Sequence, residues 1–278
     1  MRLRSLLFVP GDRPERFEKA LASGADAVIL DLEDSVSPVN KPIARASVHE
    51  FALSHSNETA LLIRINPLTS PEFEDDLAAL SGLHPFAIVL PKAEGAASVL
   101  TLAASLASAI PILPIATETP SAIFEIGSYR QVSAHLCGLT WGAEDLPAAI
   151  GASTARRTDG RYTPPYELAR SLTLFGAQAA TVPAIETVYP DFRDLIGLRA
   201  YAGRGRRDGF SGMMAIHPSQ VEVINQTFTP DASEIAWAEK VAAAFAASPA
   251  AGVIQLDGHM LDLPHLKLAL RILASAGR

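Results

Sequence analysis

The chain has 278 residues, 49% of them hydrophobic, and a formal net charge of -7 from 23 basic and 30 acidic side chains. A length of that order suits one large domain with a deep core. The acidic balance, with no long run of either sign, argues against a dedicated nucleic-acid surface. No stretch reaches the ~20 apolar residues that a membrane span needs. The opening MRLRSLLFVPG imitates the charged start of a signal peptide, but PGDRPER stops its apolar stretch after Val9. The single cysteine, Cys137, lies inside an apolar run and reads as a small buried hydrophobe. A reducing, cytoplasmic setting is expected.

Eight short apolar runs return along the chain: SLLFVP, AVILDLED, ALLIRIN, FAIVLPKAE, PILPIATE, HLCGLTWG, TVPAIETVY and MMAIHP. Their continuous apolar character predicts strands buried on both faces, and segments such as PERFEKALASG and PEFEDDLAALSG between them carry helical spacing. Alternation of that kind predicts a parallel sheet. Eight units over this length suit a closed (β/α)8 TIM barrel, placed at residues 1–228, better than an open doubly wound sheet. No GxGxxG follows the first strand, which weakens a dinucleotide-binding reading. Residues 229–278 are read as a C-terminal helical and lid extension. Helices are predicted over 233–247 and 264–275, and the mixed stretch AAGVIQLDGHMLDLPH between them is either a lid or a connector. The linker GASTARRTDGRYTPP is the other long irregular piece.

The predicted strands end in polar residues: Asp31, Glu33 and Asp34, then Arg64 and Asn66, Lys92 and Glu94, Glu118, Glu144 and Asp145, Glu186, and His217. In a barrel such ends converge on one mouth, where the catalytic groups of barrel enzymes sit. Some of these residues can instead be helix caps. Glu118 and Asp145, at the tips of consecutive runs, form the sharpest pair, because two hard carboxylates there suit Mg2+, or Mn2+, with water and substrate oxygens completing the shell. Arg64, a permanent cation among apolar neighbours, needs an anion. It either pairs with Glu33 or Asp34 or stabilises negative charge on a reacting oxygen.

RSLLFVPGDRPERFEKALASGADAVILDLEDSVSPVNKPIAR, LLIRIN, IVLPKAE, ETP, WGAEDL, VYPDFRDLIGL, AIHPSQV and DGHMLDLPH resemble, in order and spacing, the citrate lyase beta-subunit-like proteins of the HpcH/HpaI aldolase superfamily, relatives of malyl-CoA and citramalyl-CoA lyases. The resemblance implies a Mg2+-dependent lyase that makes or breaks a carbon–carbon bond beside a coenzyme A thioester. It places Glu118 and Asp145 on the metal, Arg64 at the thioester oxygen, and Asp262 as the acid carried on a lid from a neighbouring subunit of a homotrimer or hexamer. Gly142, Ala143 and Glu144 are expected to offer backbone amides to the substrate carboxylate. Asp31, Glu33 and Asp34 are expected to support Arg64 and metal-bound water, and Arg13 and Lys19 to meet coenzyme A phosphates. Arg64→Ala is expected to lower turnover while folding survives. His217 reads as a hydrogen-bonded turn residue.

Two positions depart from the pattern: Gly212-Met213 stands where Gly-Lys is usual, and Ile185-Glu186 where Ile-Asp is usual. Two other readings of the activity stay open. One is a metal-dependent 2-oxo-acid aldolase without coenzyme A, and the other is a citrate lyase beta subunit active only in a larger complex.

Overall fold

Strand β1 (Ser5–Pro10) lies hydrogen-bonded between β2 (Ala27–Asp31) and β8 (Gly212–Ala215), all parallel. The computed structural model describes residues 2–55, 59–249 and 251–277. From β2 the sheet continues through β3 (Ala60–Arg64), β4 (Ala87–Leu90) and β5 (Ile112–Pro114). From β8 it continues through β7 (Ala184–Glu186) to β6 (Leu139–Thr140). The two ends meet. Parallel bridges join Ile112 to Leu136 and Ile115 to Thr140, and the Ala116 amide donates to the Thr140 carbonyl at 2.9 Å. A sheet joined at that seam is a (β/α)8 barrel, and the eight runs of the sequence are its strands.

The apolar runs explain why these segments form strands. In β2 every residue is buried, as expected for a strand covered on both faces. The pleat sends alternate side chains inward, so Leu6, Ile29, Leu62, Val89, Leu113 and Met214 fill the barrel interior. Met213, on the other face of β8, is fully buried away from that column. The helices lie outside, the longest of them Lys41–Ser54, Pro164–Ala179 and Leu195–Asp208. Within the linker after β6, Arg156 bridges to Tyr162 and stacks on its ring, and Tyr162 packs edge-on against Trp141.

A second compact unit begins at Gln226. Its helices Ala232–Ala246 and Leu263–Ser275 bury Ala238, Val241, Phe245 and Ala269. The first opens with a reciprocal cap between Asp231 and Glu234. The mixed stretch between the helices is a β-hairpin of β9 (Val253–Leu256) and β10 (His259–Asp262). Asp257 and Gly258 both take positive φ at its two-residue turn, the backbone that an Asp-Gly pair favours. Among the described residues, no helix is long and apolar enough to cross a membrane.

Candidate active site

Asp31 and Arg64 end neighbouring strands and are register partners, so the pleat brings their side chains to the same side. Arg64 Nε and Nη2 donate to the two oxygens of Asp31, each at 2.6 Å. Asp31 also accepts from the amides of Glu33 and Ser35 and from the Ser35 hydroxyl. Burial alone would raise the Asp31 pKa, but the charge and hydrogen bonds of Arg64, with Ser35 and Glu33, hold it below the usual carboxylate value. Burial would lower Arg64; Asp31 and Glu33 outweigh that and keep it cationic. Its guanidinium lies 4.8 Å from the Phe8 ring centroid.

Glu33 extends the network. Its Oε2 is 2.8 Å from Arg64 Nη1, an ion pair whose alignment falls short of a hydrogen bond, while Oε1 accepts from Lys92 Nζ at 2.5 Å. Burial outweighs both cations and leaves the Glu33 pKa raised. The loop is braced from beneath: Lys41 Nζ donates to the carbonyls of Leu32 and Glu33, and Asn66 Nδ2 to that of Leu32.

Lys92 joins the remaining acids. Its ammonium is 3.7 Å from Asp145 Oδ1, and its amide donates to Glu118 Oε2 at 2.6 Å. It does this from a left-handed backbone, φ 49°, unusual for a lysine and the kind of local strain that clusters at functional sites. Burial would lower its pKa, but Glu33 and Asp145 hold it above the ordinary value. The sequence shows Lys92 only as one polar strand end among many. What marks it out is an amine on the same rim as several carboxylates.

Glu118 is 5% exposed, and burial together with the charges of Glu33 and Asp145 pushes its pKa up to about 8. A Cβ at Gly142 would lie 2.7 Å from Glu118 Cγ, so only glycine leaves room for this carboxylate. Asp145 precedes the helix Leu146–Ile150 but accepts no capping bond, and its side chain is about one-third exposed. Both carboxylates line one cavity of about 230 Å³ at the C-terminal ends of the strands. Arg64, Asp31, Asp34, Ala143 and Glu144 line it too.

The donor set fits a hard divalent ion. Glu118 is a buried acid that two neighbouring acids drive toward protonation, and an oxygen-seeking cation relieves that repulsion. Among the described residues no three His, Cys, Asp or Glu side chains gather as a ready cage. Two carboxylates are the sparse set that leaves most of an octahedral shell to water and substrate oxygens.

Several expectations are revised. The Gly142 amide already donates to Thr117 Oγ1 at 3.1 Å, and Thr117 Oγ1 in turn donates to the Gly142 carbonyl, so Gly142 is not a carboxylate donor. Among the described residues the amides of Ala143 and Glu144 have no acceptor. The helix they precede has only five residues, which gives them little dipole support. Glu186 does not reach the cavity. It is fully buried and accepts from Trp141 Nε1, Arg170 Nε and Tyr201 Oη, a brace between β6, β7 and the helix layer. Asn66 is held by Asp76, and Glu94 by Thr119. His217 bonds Ser219 Oγ and stacks on Phe192, in keeping with a turn residue.

Arg13 and Lys19 are exposed and are not among the cavity's lining residues. Among the described residues the Arg13 side chain has only a 3.9 Å approach to Asp12. Met213 does not line the cavity, whereas Met214 does. In the C-terminal unit Asp262 caps the helix Leu263–Ser275 and lies 2.5 Å from His265 Nδ1. Its side chain is half exposed.

The HpcH/HpaI aldolase/citrate lyase family model matches residues 4–218. The chain is 38% identical over 271 residues to a citrate lyase subunit beta-like protein of Mycobacterium tuberculosis (strain ATCC 25618 / H37Rv), covering 98% of this chain and 94% of that protein. It is 32% identical over 278 residues to a (3S)-malyl-CoA thioesterase of Cereibacter sphaeroides (strain ATCC 17025 / ATH 2.4.3), with 98% and 94% covered. Among solved structures, the protein CitE from Mycobacterium tuberculosis in complex with magnesium, acetoacetate and coenzyme A superposes with a TM-score of 0.85 at 36% identity, over 99% of this chain and 98% of that one. With its barrel, its rim of acids around Arg64 and these relatives, the chain belongs to the HpcH/HpaI aldolase/citrate lyase family of enzymes.

Proposed function

We propose that this chain is a magnesium-dependent carbon–carbon lyase of coenzyme A thioesters, splitting or forming a 3-hydroxyacyl-CoA of the citramalyl, malyl or citryl type to give acetyl-CoA and a 2-oxo acid. The observation that carries this reading is the convergence of Glu118 and Asp145 on one cavity beside a guanidinium fixed by Asp31. Family membership and the magnesium and coenzyme A of the CitE complex support it.

Glu118 and Asp145 would hold the ion, which supplies an electrophile for the carboxylate and adjacent oxygen of the acid half. The amides of Ala143 and Glu144 would donate to that carboxylate. As the bond breaks, its electron pair moves to the thioester as an enolate, the hydroxyl loses its proton and becomes the oxo group, and the enolate carbon gains a proton. Arg64 is the group assigned to the enolate oxygen. Its fork with Asp31 holds it in place before charge develops, so little reorganisation is needed. Asp262 is the assigned proton donor, reaching the site of a neighbouring copy in a trimer or hexamer.

The test is to incubate the purified chain with Mg2+ and a panel of acyl-CoA thioesters and to identify products by mass spectrometry. Acetyl-CoA with a 2-oxo acid is expected. Activity only on free hydroxy-oxo acids would favour the aldolase without coenzyme A, and activity only with added partner subunits would favour the complex.

A further inference from the structure

Consecutive strand ends carry the charges of the rim. In the order of the sheet these are Glu33 after β2, Arg64 at the end of β3, Lys92 after β4, Glu118 after β5 and Asp145 after β6. Lys92 stands at the centre of the row and serves both of its halves. Its ammonium lies 2.5 Å from Glu33 Oε1 on one side and 3.7 Å from Asp145 Oδ1 on the other, and its amide donates to Glu118 Oε2.

Glu118 and Asp145 both depend on this one residue. Among the described residues, neither side-chain carboxylate makes a hydrogen bond or ion pair except with Lys92. Arg64, the other cation of the row, bonds Asp31 and pairs with Glu33. Lys92 is not among the cavity's lining residues, so its charge acts on the carboxylates rather than on a molecule held in the cavity.

An ammonium and a divalent ion drawn to the same carboxylates compete, because each neutralises the acids and repels the other. Without a metal, the ammonium offsets part of the repulsion among Glu33, Glu118 and Asp145. With a metal bound, the same charge opposes it.

We infer that Lys92 is a positioning residue that stands in for the metal: it steadies Glu118 and Asp145 in the metal-free protein and limits how tightly they take the ion. The inference rests on the lyase reading above, in which those two carboxylates hold the metal. A lysine of purely structural use would, on removal, weaken metal binding together with the fold. A stand-in cation gives the two effects opposite signs.

The experiment is calorimetric titration of the full chain with Mg2+ alone, combined with thermal melting in chelator and in saturating Mg2+. In Lys92→Met the metal-free Tm is expected to fall by about 3 °C or more, while Mg2+ binds about tenfold or more tightly. The rise in Tm on adding Mg2+ should exceed that of the unaltered chain. Lys92→Gln, which keeps a donor for Glu33 without the charge, is expected to move the same way and serves if the Met variant does not fold. Lys92→Arg, which keeps the charge, should leave Mg2+ affinity near its original value. Unchanged or weaker Mg2+ binding in a folded Met or Gln variant overturns the inference and leaves the metal site standing. So does an undiminished metal-free Tm, or a gain in affinity in the Arg variant as large as in the Met variant. Failure of the unaltered chain to bind Mg2+ removes the lyase reading and this inference together.

Discussion

Asp31 and Arg64 are paired twice over, as register neighbours on β2 and β3 and through two 2.6 Å hydrogen bonds between their side chains. Asp31 is 1% exposed, so the guanidinium is both a candidate for charge stabilisation and the counter-ion of a buried acid. Arg64→Ala therefore does more than remove a reacting contact. It removes the counter-ion of Asp31 and one of the two cations beside Glu33, at a cost of about 3 kcal/mol or more. Folding is expected to survive at that lower stability, with turnover strongly reduced. Asp31→Asn, which keeps the shape but cannot accept a charged fork, is expected to lower kcat by about a hundredfold and to reduce Tm. Steady-state kinetics and thermal melting check both. Normal kcat in the Asn variant would detach the fork from turnover.

Glu118 gives the protein a pH signature. Its folded pKa, pushed to about 8 by burial and neighbouring acids, lies above the ordinary 4.5. A raised pKa means that the folded state holds the proton longer. The stability contribution is complete below 4.5 and is lost as pH rises to about 8, by up to ~1.4 kcal/mol per pH unit. Asp31 has the opposite sign: its lowered pKa stabilises above its ordinary 3.8 and is lost only in stronger acid. Melting in the presence of a chelator is expected to show a decline through the window from 4.5 to about 8 that flattens in Glu118→Gln. An unchanged slope in that variant would place the titration elsewhere.

Glu186 is expected to behave as a brace. It gathers Trp141, Arg170 and Tyr201, and among the described residues Arg170 Nη2 has no hydrogen-bond partner. Replacing Glu186 with Gln leaves a buried guanidinium undercompensated, so a loss of about 3 kcal/mol in stability is expected. Mg2+ affinity should remain within about twofold, since the residue does not line the cavity. Denaturant unfolding and metal titration separate the two effects, and a normal midpoint with lost Mg2+ binding would reverse the assignment.

The proposed exchange of Asp262 between copies has its own test. Arg64→Lys and Asp262→Asn are each expected to be nearly inactive. When the two variants are mixed under conditions that let subunits exchange, sites combining an intact Arg64 from one copy with an intact Asp262 from another should recover part of the activity. Mixtures as inactive as the separate variants would confine Asp262 to its own chain or remove it from the reaction.

The barrel was legible because buried parallel strands write themselves as unbroken apolar runs, and all eight appear in the sheet. The strand-end acids were legible for the same reason, since the end of an apolar run marks the rim. Which rim residue turns inward was not. Glu118 and Glu186 look alike in sequence, yet one faces the cavity and the other the helix layer, a difference of pleat and of the Arg170 partner. Lys92 depended on a left-handed backbone that apolar spacing does not encode. The engagement of the Gly142 amide depends on the hydroxyl of Thr117, 25 residues earlier, a pairing that local spacing does not encode. The hairpin of the C-terminal unit carries a readable sign, Asp257-Gly258 between alternating apolar residues.

The central claim is that Glu118 and Asp145 share one ion. Titrating the metal-free protein with Mn2+ and counting bound ions by electron paramagnetic resonance, with Mg2+ as competitor, addresses it directly. One Mg2+-displaceable ion per chain is expected, with affinity reduced about a hundredfold or more in both Glu118→Gln and Asp145→Asn. Unchanged affinity in both variants, with the fold intact, would contradict the account.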